Sequence, residues 1–250
     1  MDVPTVEIDG LPISLCTMND VEGILDEAVR GEVGPLRLAT VNLDFLRLAS
    51  RDVELKRILK GSHHNFADGW PLLQMASLLG RPLPERVTGS DLTPRICEWA
   101  ARNGWRLAFV GSTDQTKKVL AELMRSRYGD VLVGHWTPDY RHRSIDDPAL
   151  CSELREAGAQ IVLVALGCPR QEQWVWANLE ASGARVAMGV GGSLDFMAGV
   201  QRRAPVVFRA VRMEWLYRAL SQPRRLGFRY LLDLDYYQKL LRRTVRQAHR

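Results

Sequence analysis

The sequence has no long apolar run. Its longest strongly apolar stretch, Ile161 to Leu166, spans six residues, whereas a membrane-spanning helix needs about 20, so no helical span is expected. The opening MDVPTVEIDG has neither a basic start nor an apolar core. No secretory signal is expected, which places the protein in the cytoplasm with peripheral membrane contact open. Cysteine is scarce. Cys16, Cys97, Cys151 and Cys168 form no CxxC pair, and no histidine cluster completes a zinc pattern, so they read as scattered buried or half-buried thiols. A P-loop is absent, because no Gly-Lys-Ser/Thr follows a glycine-rich turn. A full dinucleotide fingerprint is absent too: Leu194 stands where the third glycine of GxGxxG belongs, which weakens an NAD-dependent oxidoreductase reading.

What is present is ordinary for a globular chain. The 250 residues are 46% hydrophobic and 25% charged, which excludes extensive disorder. The net charge of +5 is unevenly placed. Residues 201–250 carry 12 Arg and 1 Lys against 3 acids, a local +10, which leaves the first 200 residues at −5. A mildly acidic body with a basic tail points to an anionic partner surface at the tail.

Several short apolar runs read as buried strands: Leu36–Val41, His64–Ala67, Leu107–Val110, Val131–Val133, Ile161–Leu166 and Val186–Val190. Stretches with helical spacing lie between them, such as Asp114–Arg127 and Asp146–Ala157. Alternating strands and helices predict an α/β fold, a Rossmann-like, mostly parallel sheet with helices on both faces. Ahead of it, Val6-Glu7-Ile8, Asp9-Gly10 and Pro12-Ile13-Ser14 carry the signal of an N-terminal β-hairpin. After about residue 200 only helical spacing remains. Leu226, Tyr230, Leu234, Tyr237, Leu241 and Val245 form one apolar stripe, with most arginines off it. The chain therefore divides into an α/β domain over 1–200, where any catalytic site is expected, and a basic amphipathic helical appendage over 201–250.

Ligands of such sheets bind at the carboxyl ends of the strands. Asp68 lies there, in Phe66-Ala67-Asp68-Gly69-Trp70. Its carboxylate suits a general base facing the cleft, and it equally suits an N-cap for the helix starting near Trp70-Pro71. Gly189-Val-Gly-Gly-Ser, with Gly191 and Gly192 in its turn, is either a phosphate cradle or a tight turn. Gly111 and Ser112 stand in a similar strand-to-helix turn. Gly167-Cys-Pro-Arg-Gln-Glu opens a helix. Its polar side chains are placed to meet a sugar or phosphate, and Glu172 equally complements the helix dipole. Asp233-Leu-Asp235 is formally a DxD but lies within helical spacing, where residues two apart do not share a face. It reads as solvated helix. No DxD occurs at a strand end, so metal-independent chemistry is expected.

In order along the chain, Thr40-Val-Asn-Leu-Asp-Phe, Ala67-Asp-Gly, Arg86-Val-Thr-Gly-Ser-Asp, Phe109-Val-Gly-Ser, Gly167-Cys-Pro-Arg-Gln-Glu, Gly189-Val-Gly-Gly-Ser-Leu-Asp-Phe-Met-Ala-Gly, Arg203-Ala-Pro and Glu214-Trp-Leu-Tyr-Arg, followed by Gln222-Pro-Arg-Arg-Leu, resemble glycosyltransferase family 26, the WecG/TagA/CpsF proteins. The resemblance runs from about residue 5 to 230. It implies an inverting, UDP-sugar-dependent hexosyltransferase of envelope or exopolysaccharide synthesis. Such an enzyme acts on a polyprenyl-diphosphate-linked saccharide at the inner face of the cell membrane. It further implies Asp68 as catalytic base. Thr40, Asn42, Arg86 and Gln171 would line the cleft, with Gly111, Ser112, Gly189, Gly191 and Gly192 at the nucleotide. Arg218, Arg224 and Arg225 would close from the appendage. Trp70-Pro71 stands where many members carry a small or aliphatic residue, and Arg170 where lysine is common. The first departure bears on substrate preference; the second keeps the charge.

The expected partners are thus a UDP-sugar as donor substrate, the lipid-linked saccharide and an anionic membrane surface, with no resident cofactor, no nucleic acid and a possible homo-oligomer. The rival reading is a nucleotide-binding α/β module whose basic tail binds nucleic acid. Tyr230 and Tyr237 fall on the apolar stripe, which suits helix or bilayer packing better than base stacking.

Overall fold

The computed structural model describes residues 3–140, 144–202, 204–205, 208, 217 and 227–248. The chain opens with strands β1 (Thr5–Ile8) and β2 (Leu11–Ser14), paired antiparallel with Ile8 opposite Leu11. Asp9 and Gly10 both take positive φ, 52° and 79°, as a two-residue hairpin turn that follows the strand twist requires. The hairpin seats on the main sheet through Asn65, whose Nδ2 donates to the Pro12 carbonyl at 2.9 Å.

The main sheet has six strands: β3 (Leu36–Val41), β4 (His64–Ala67), β5 (Leu107–Gly111), β6 (Leu132–Trp136), β7 (Ile161–Ala165) and β8 (Val186–Gly189). Their spatial order is β4-β3-β8-β7-β5-β6, and every pairing is parallel. The helices are α1 (Met18–Val29), α2 (Leu43–Ala49), α3 (Val53–Gly61), α4 (Trp70–Leu78), α5 (Gly89–Asn103), α6 (Asp114–Tyr128), α7 (Pro148–Glu156), α8 (Arg170–Ser182), α9 (Ser193–Met197) and α10 (Phe228–Ala248).

Both faces of the sheet are covered, which is why its strands read as continuous apolar runs. In β7, Ile161 and Leu163 point into the core shared with α1, α5 and α6, whereas Val162 and Val164 point into the core under α7 and α8. Trp174 of α8, fully buried, fills that second core. Each fully buried aliphatic side chain contributes roughly 1.5–3 kcal/mol. A third core joins the hairpin, α2, α3, α4 and α10.

Strand β6 differs from expectation. It was predicted over Val131–Val133 and runs from Leu132 to Trp136, so Gly134-His135-Trp136 is strand rather than strand-end loop. A register shift at Leu107/Ala108 of β5 realigns the pair and lets β6 extend. The four cysteines are free, three buried and Cys168 half-buried.

Helix α10 also differs in facing. Its buried residues are Asp233, Tyr236, Leu240 and Thr244, while the predicted stripe residue Leu234 is 53% exposed. The reason is electrostatic. Asp233 turns inward to Arg47 of α2, Nε to Oδ1 2.7 Å, and rotates the helix with it. Asp235, two residues on, faces out to Lys239 at 2.7 Å. The solvated reading of Asp233-Leu-Asp235 therefore holds for Asp235 and fails for Asp233. Leu226 of the stripe lies outside the described residues.

Candidate active site at the carboxyl edge of the sheet

The strand order places the carboxyl ends of β4, β3, β8, β7 and β5 side by side. Ala39 and Val164 both pair with Gly189, and Gly111 pairs with Ala165. The loops leaving adjacent ends therefore start within about two residues of each other, at the edge where open parallel sheets bind ligands.

Asp68 follows β4 directly. It is half-buried, and its N–H donates to the Val41 carbonyl at the end of β3, 2.8 Å. The next residue, Gly69, has φ 130° and ψ 151°, a conformation that only glycine adopts readily. This bend turns the chain into α4. Gly69 is the N-cap, and no side-chain hydrogen bond caps the helix. The cap reading of Asp68 is thus corrected: the residue sits one position ahead of the cap.

Arg86 is brought to the same strand end. The Val87 N–H donates to the Ala67 carbonyl at 3.0 Å. The Arg86 guanidinium lies 3.6 Å from Asp91 Oδ2, which in turn accepts from the Thr88 hydroxyl at 2.8 Å. Helix α5 starts at Gly89, and a Cβ there would stand 3.2 Å from the hydroxyls of both Thr40 and Ser193. That close approach seats α5 on β3 and on the loop after β8. Thr40 is consequently buried, its hydroxyl donating to the Gly189 carbonyl at 3.5 Å. Asn42 caps α2, its Oδ1 accepting from the Phe45 N–H at 3.2 Å.

On the β5 side, Gly111 has φ 96°, and a Cβ would meet the Ala165 carbonyl oxygen at 2.6 Å. His135 of β6 reaches the same turn, Nε2 to the Gly111 carbonyl at 2.9 Å. Burial holds its imidazole below its ordinary value, against the pull of that carbonyl. Ser112 follows at φ 66°, left-handed backbone that a non-glycine residue enters at a cost. Its N–H is held by Ala165 O at 3.0 Å and its hydroxyl donates to Asp195. Thr116 donates to the same Asp195 oxygen at 2.7 Å, and Gln201 Nε2 lies 3.3 Å from the other. The sequence pattern singled out neither Asp195 nor Thr116. Asp195 lies six residues beyond Gly189 in the glycine motif, a spacing that could have drawn attention to it.

The glycine turn after β8, read as either a phosphate cradle or a tight turn, spends one of its amides internally. The Gly191 N–H, at φ 55°, is used inside the protein: it donates to Gln171 Oε1 at 3.0 Å. Gly192 caps the short helix α9. Gln171 is itself only 2% exposed and ties loops together. Glu172, read as a dipole complement in the first turn of α8, is buried beside it at 3% exposure. Burial pushes its carboxyl up to about 7. Arg218, Arg224 and Arg225 lie outside the described residues.

Among the described residues, no three His, Cys, Asp or Glu side chains group as metal ligands do. No described helix is long and apolar enough to cross a membrane.

Proteins of Staphylococcus aureus strains MRSA252, MW2 and NCTC 8325 are each 26% identical over 223 residues, which cover 89% of this chain and 87% of the relative. Each is named N-acetylglucosaminyldiphosphoundecaprenol N-acetyl-beta-D-mannosaminyltransferase. The profile of the glycosyl transferase WecG/TagA/CpsF family matches residues 6–250, nearly the whole length, and the chain belongs to that family.

Proposed function

We propose that this glycosyltransferase moves a hexose or N-acetylhexosamine-type sugar from a UDP-sugar to a polyprenyl-diphosphate-linked saccharide, with inversion, at the inner face of the cell membrane. The observation that carries this reading is the setting of Asp68. It leaves β4 at the ligand edge, its backbone tied to the end of β3. Arg86 approaches the same strand end. The relatives' names support a lipid-diphosphate saccharide as acceptor.

The chemistry is a single displacement. The acceptor hydroxyl oxygen forms a bond to C1 of the donor sugar as the bond from C1 to the UDP oxygen breaks. The Asp68 carboxylate takes the hydroxyl proton, a role that contributes roughly 10²–10⁴ in rate. UDP leaves with the bonding pair. Arg86 and the appendage arginines Arg218, Arg224 and Arg225 are the donors proposed for its growing charge, the larger share of catalysis in such reactions. No metal is required in this scheme.

Membrane contact is assigned to the appendage. Phe228 and Leu231 of α10 are 71% and 67% exposed, and Arg242 and Arg246 belong to the same helix. An apolar ridge with arginines is how a helix lies on an anionic leaflet.

A panel of UDP-sugars with a short-chain prenyl-diphosphate saccharide, read by UDP release, tests the reading. Release by the wild type that is lost in Asp68→Asn and persists in excess EDTA is expected. Wild-type turnover in Asp68→Asn overturns the base assignment, and loss of release in EDTA overturns metal independence.

A further inference from the structure

Gln171 joins two of the strand-end loops. Its Oε1 accepts from the N–H of Gly167, after β7, at 3.1 Å and from the N–H of Gly191, after β8, at 3.0 Å. Both oxygen lone pairs are therefore in use. Its Nε2 donates to Glu172 Oε1 at 2.7 Å. The amide can hold both loops only with its oxygen toward the glycines; flipped, it would present N–H groups to N–H groups. The Glu172 carboxyl, by accepting from Nε2, selects the working orientation.

Glu172 is poorly placed to be an ion. Its Oε2 is buried with no hydrogen-bond partner, and no cationic side chain bonds it among the described residues. Gly189 of β8 runs directly against the pair: a Cβ there would stand 2.5 Å from Gln171 Nε2 and 2.6 Å from Glu172 Oε1. A titratable neighbour is Cys168, from the loop ahead of α8, whose thiol hydrogen-bonds Glu172 and is itself driven up by burial and then by the Glu172 charge. Beyond the thiol stand Asp44 of α2, paired to Arg47, and Asp52 ahead of α3. These outer carboxylates add negative charge to the surroundings and offer none of the compensation a buried carboxylate needs.

We propose that Glu172 is a positioning residue: its neutral carboxyl orients Gln171, and through Gln171 fixes the loops after β7 and β8 on which transfer depends. Losing the proton leaves a buried charge held only by neutral donors, Gln171 Nε2, its own N–H and the Cys168 thiol, with no cationic side chain bonded to it among the described residues. The carboxylate then draws in water or turns away, and the Gly167 and Gly191 amides lose their shared acceptor. The inference rests on the glycosyltransferase reading of this edge only for its effect on rate; the hydrogen bonds it concerns exist without substrate.

The test has two arms. Amide hydrogen exchange at Gly167 and Gly191 is followed across neutral pH in the wild type and in Glu172→Gln, which keeps the acceptor oxygen and cannot ionise. In the wild type, protection at both glycines is expected to fall together as pH rises through about 7, beyond the base-catalysed trend of other loop amides. In Glu172→Gln it is expected to follow that trend alone. The second arm is the pH profile of kcat. The wild type is expected to lose about tenfold per pH unit on its alkaline limb, and Glu172→Gln to keep its low-pH rate and lack that limb. Unchanged glycine protection in the wild type, or an alkaline limb that survives in Glu172→Gln, overturns the proposal. The exchange arm needs neither the variant nor turnover. Absence of any sugar transfer by the wild type would count against the proposed function and leave the exchange arm to decide this inference.

Discussion

Arg47 and Asp233, 186 residues apart, form a buried ion pair that fastens α10 to α2. Helix α2 is the one that Asn42 caps at the ligand edge. Asp44 and Arg229 extend the pair into a four-membered network. Removing one member of a buried pair costs roughly 3–5 kcal/mol, mostly because the other charge is stranded. Asp233→Ala is expected at the lower end of that range, since Arg47 retains Asp44. Urea unfolding measures the loss. Limited proteolysis is expected to cut on the amino-terminal side of α10 faster than in the wild type. An unchanged unfolding midpoint would sink the idea that this pair docks the helix.

Gly189 supplies a second prediction, about packing. Any side chain at this position meets the Gln171–Glu172 pair closer than real Cβ contacts stand. Gly189→Ala must therefore shift α8 or break the pair, at a cost of about 1–3 kcal/mol. Gly34 is the control, because a Cβ there meets nothing within 4 Å. Gly34→Ala is expected to be neutral or to stabilise by a few tenths of a kcal/mol up to about 1 kcal/mol. Thermal melts of the two variants side by side check the contrast. Equal melting temperatures would mean that the approach of β8 to α8 is not tight.

The sheet was legible in the sequence for a physical reason. Strands β5, β7 and β8 lie inside a parallel sheet covered on both faces, so their runs are apolar almost throughout, and β3 and β4 keep enough of that pattern to be read despite Arg37, Thr40, His64 and Asn65. β6, the edge strand beside β5, carries half-buried residues and the polar His135, so its apolar run starts and ends ahead of the strand itself. The site was less legible because its contacts are remote in sequence. The place of Asp68 at a strand end is legible from the apolar run ahead of it. The inward turn of Asp233 depends on Arg47, and the use of the Gly191 amide depends on Gln171, 20 residues away. Neither leaves a local pattern. A glycine-rich turn announces only that a backbone approaches something closely; here that something is Gln171.

Asp195 gathers Ser112, Thr116 and Gln201 onto one carboxylate at the β5 side of the sheet's carboxyl edge. Ser112 holds left-handed backbone while it does so. Asp195→Ala removes the acceptor for three donors at once and is expected to destabilise by about 1–3 kcal/mol. Because the loop after β5 lies at the proposed nucleotide end, KM for the UDP-sugar is expected to rise more than kcat falls. A drop in kcat with unchanged KM would place the donor elsewhere along the edge.

Stability should also carry the mark of Glu172. Its native carboxyl is raised by burial from 4.5 to about 7. Between those values the folded state holds a proton that the unfolded chain has released, so stability falls as pH rises through this window and levels off above it. At about 1.4 kcal/mol per unit the loss is roughly 3–4 kcal/mol. His64 acts in the opposite sense. Burial lowers its imidazole from 6.5 to about 4, so the unfolded chain binds the extra proton there and stability rises with pH over that range. The two slopes oppose each other up to pH 6.5, and above it the Glu172 slope stands alone. Urea unfolding of Glu172→Gln against wild type at matched pH isolates the carboxyl. The variant is expected to gain on the wild type steadily from about pH 4.5 to about pH 7 and to hold a constant difference beyond. A difference that does not depend on pH would show that Glu172 titrates as an ordinary carboxylate, whatever its burial.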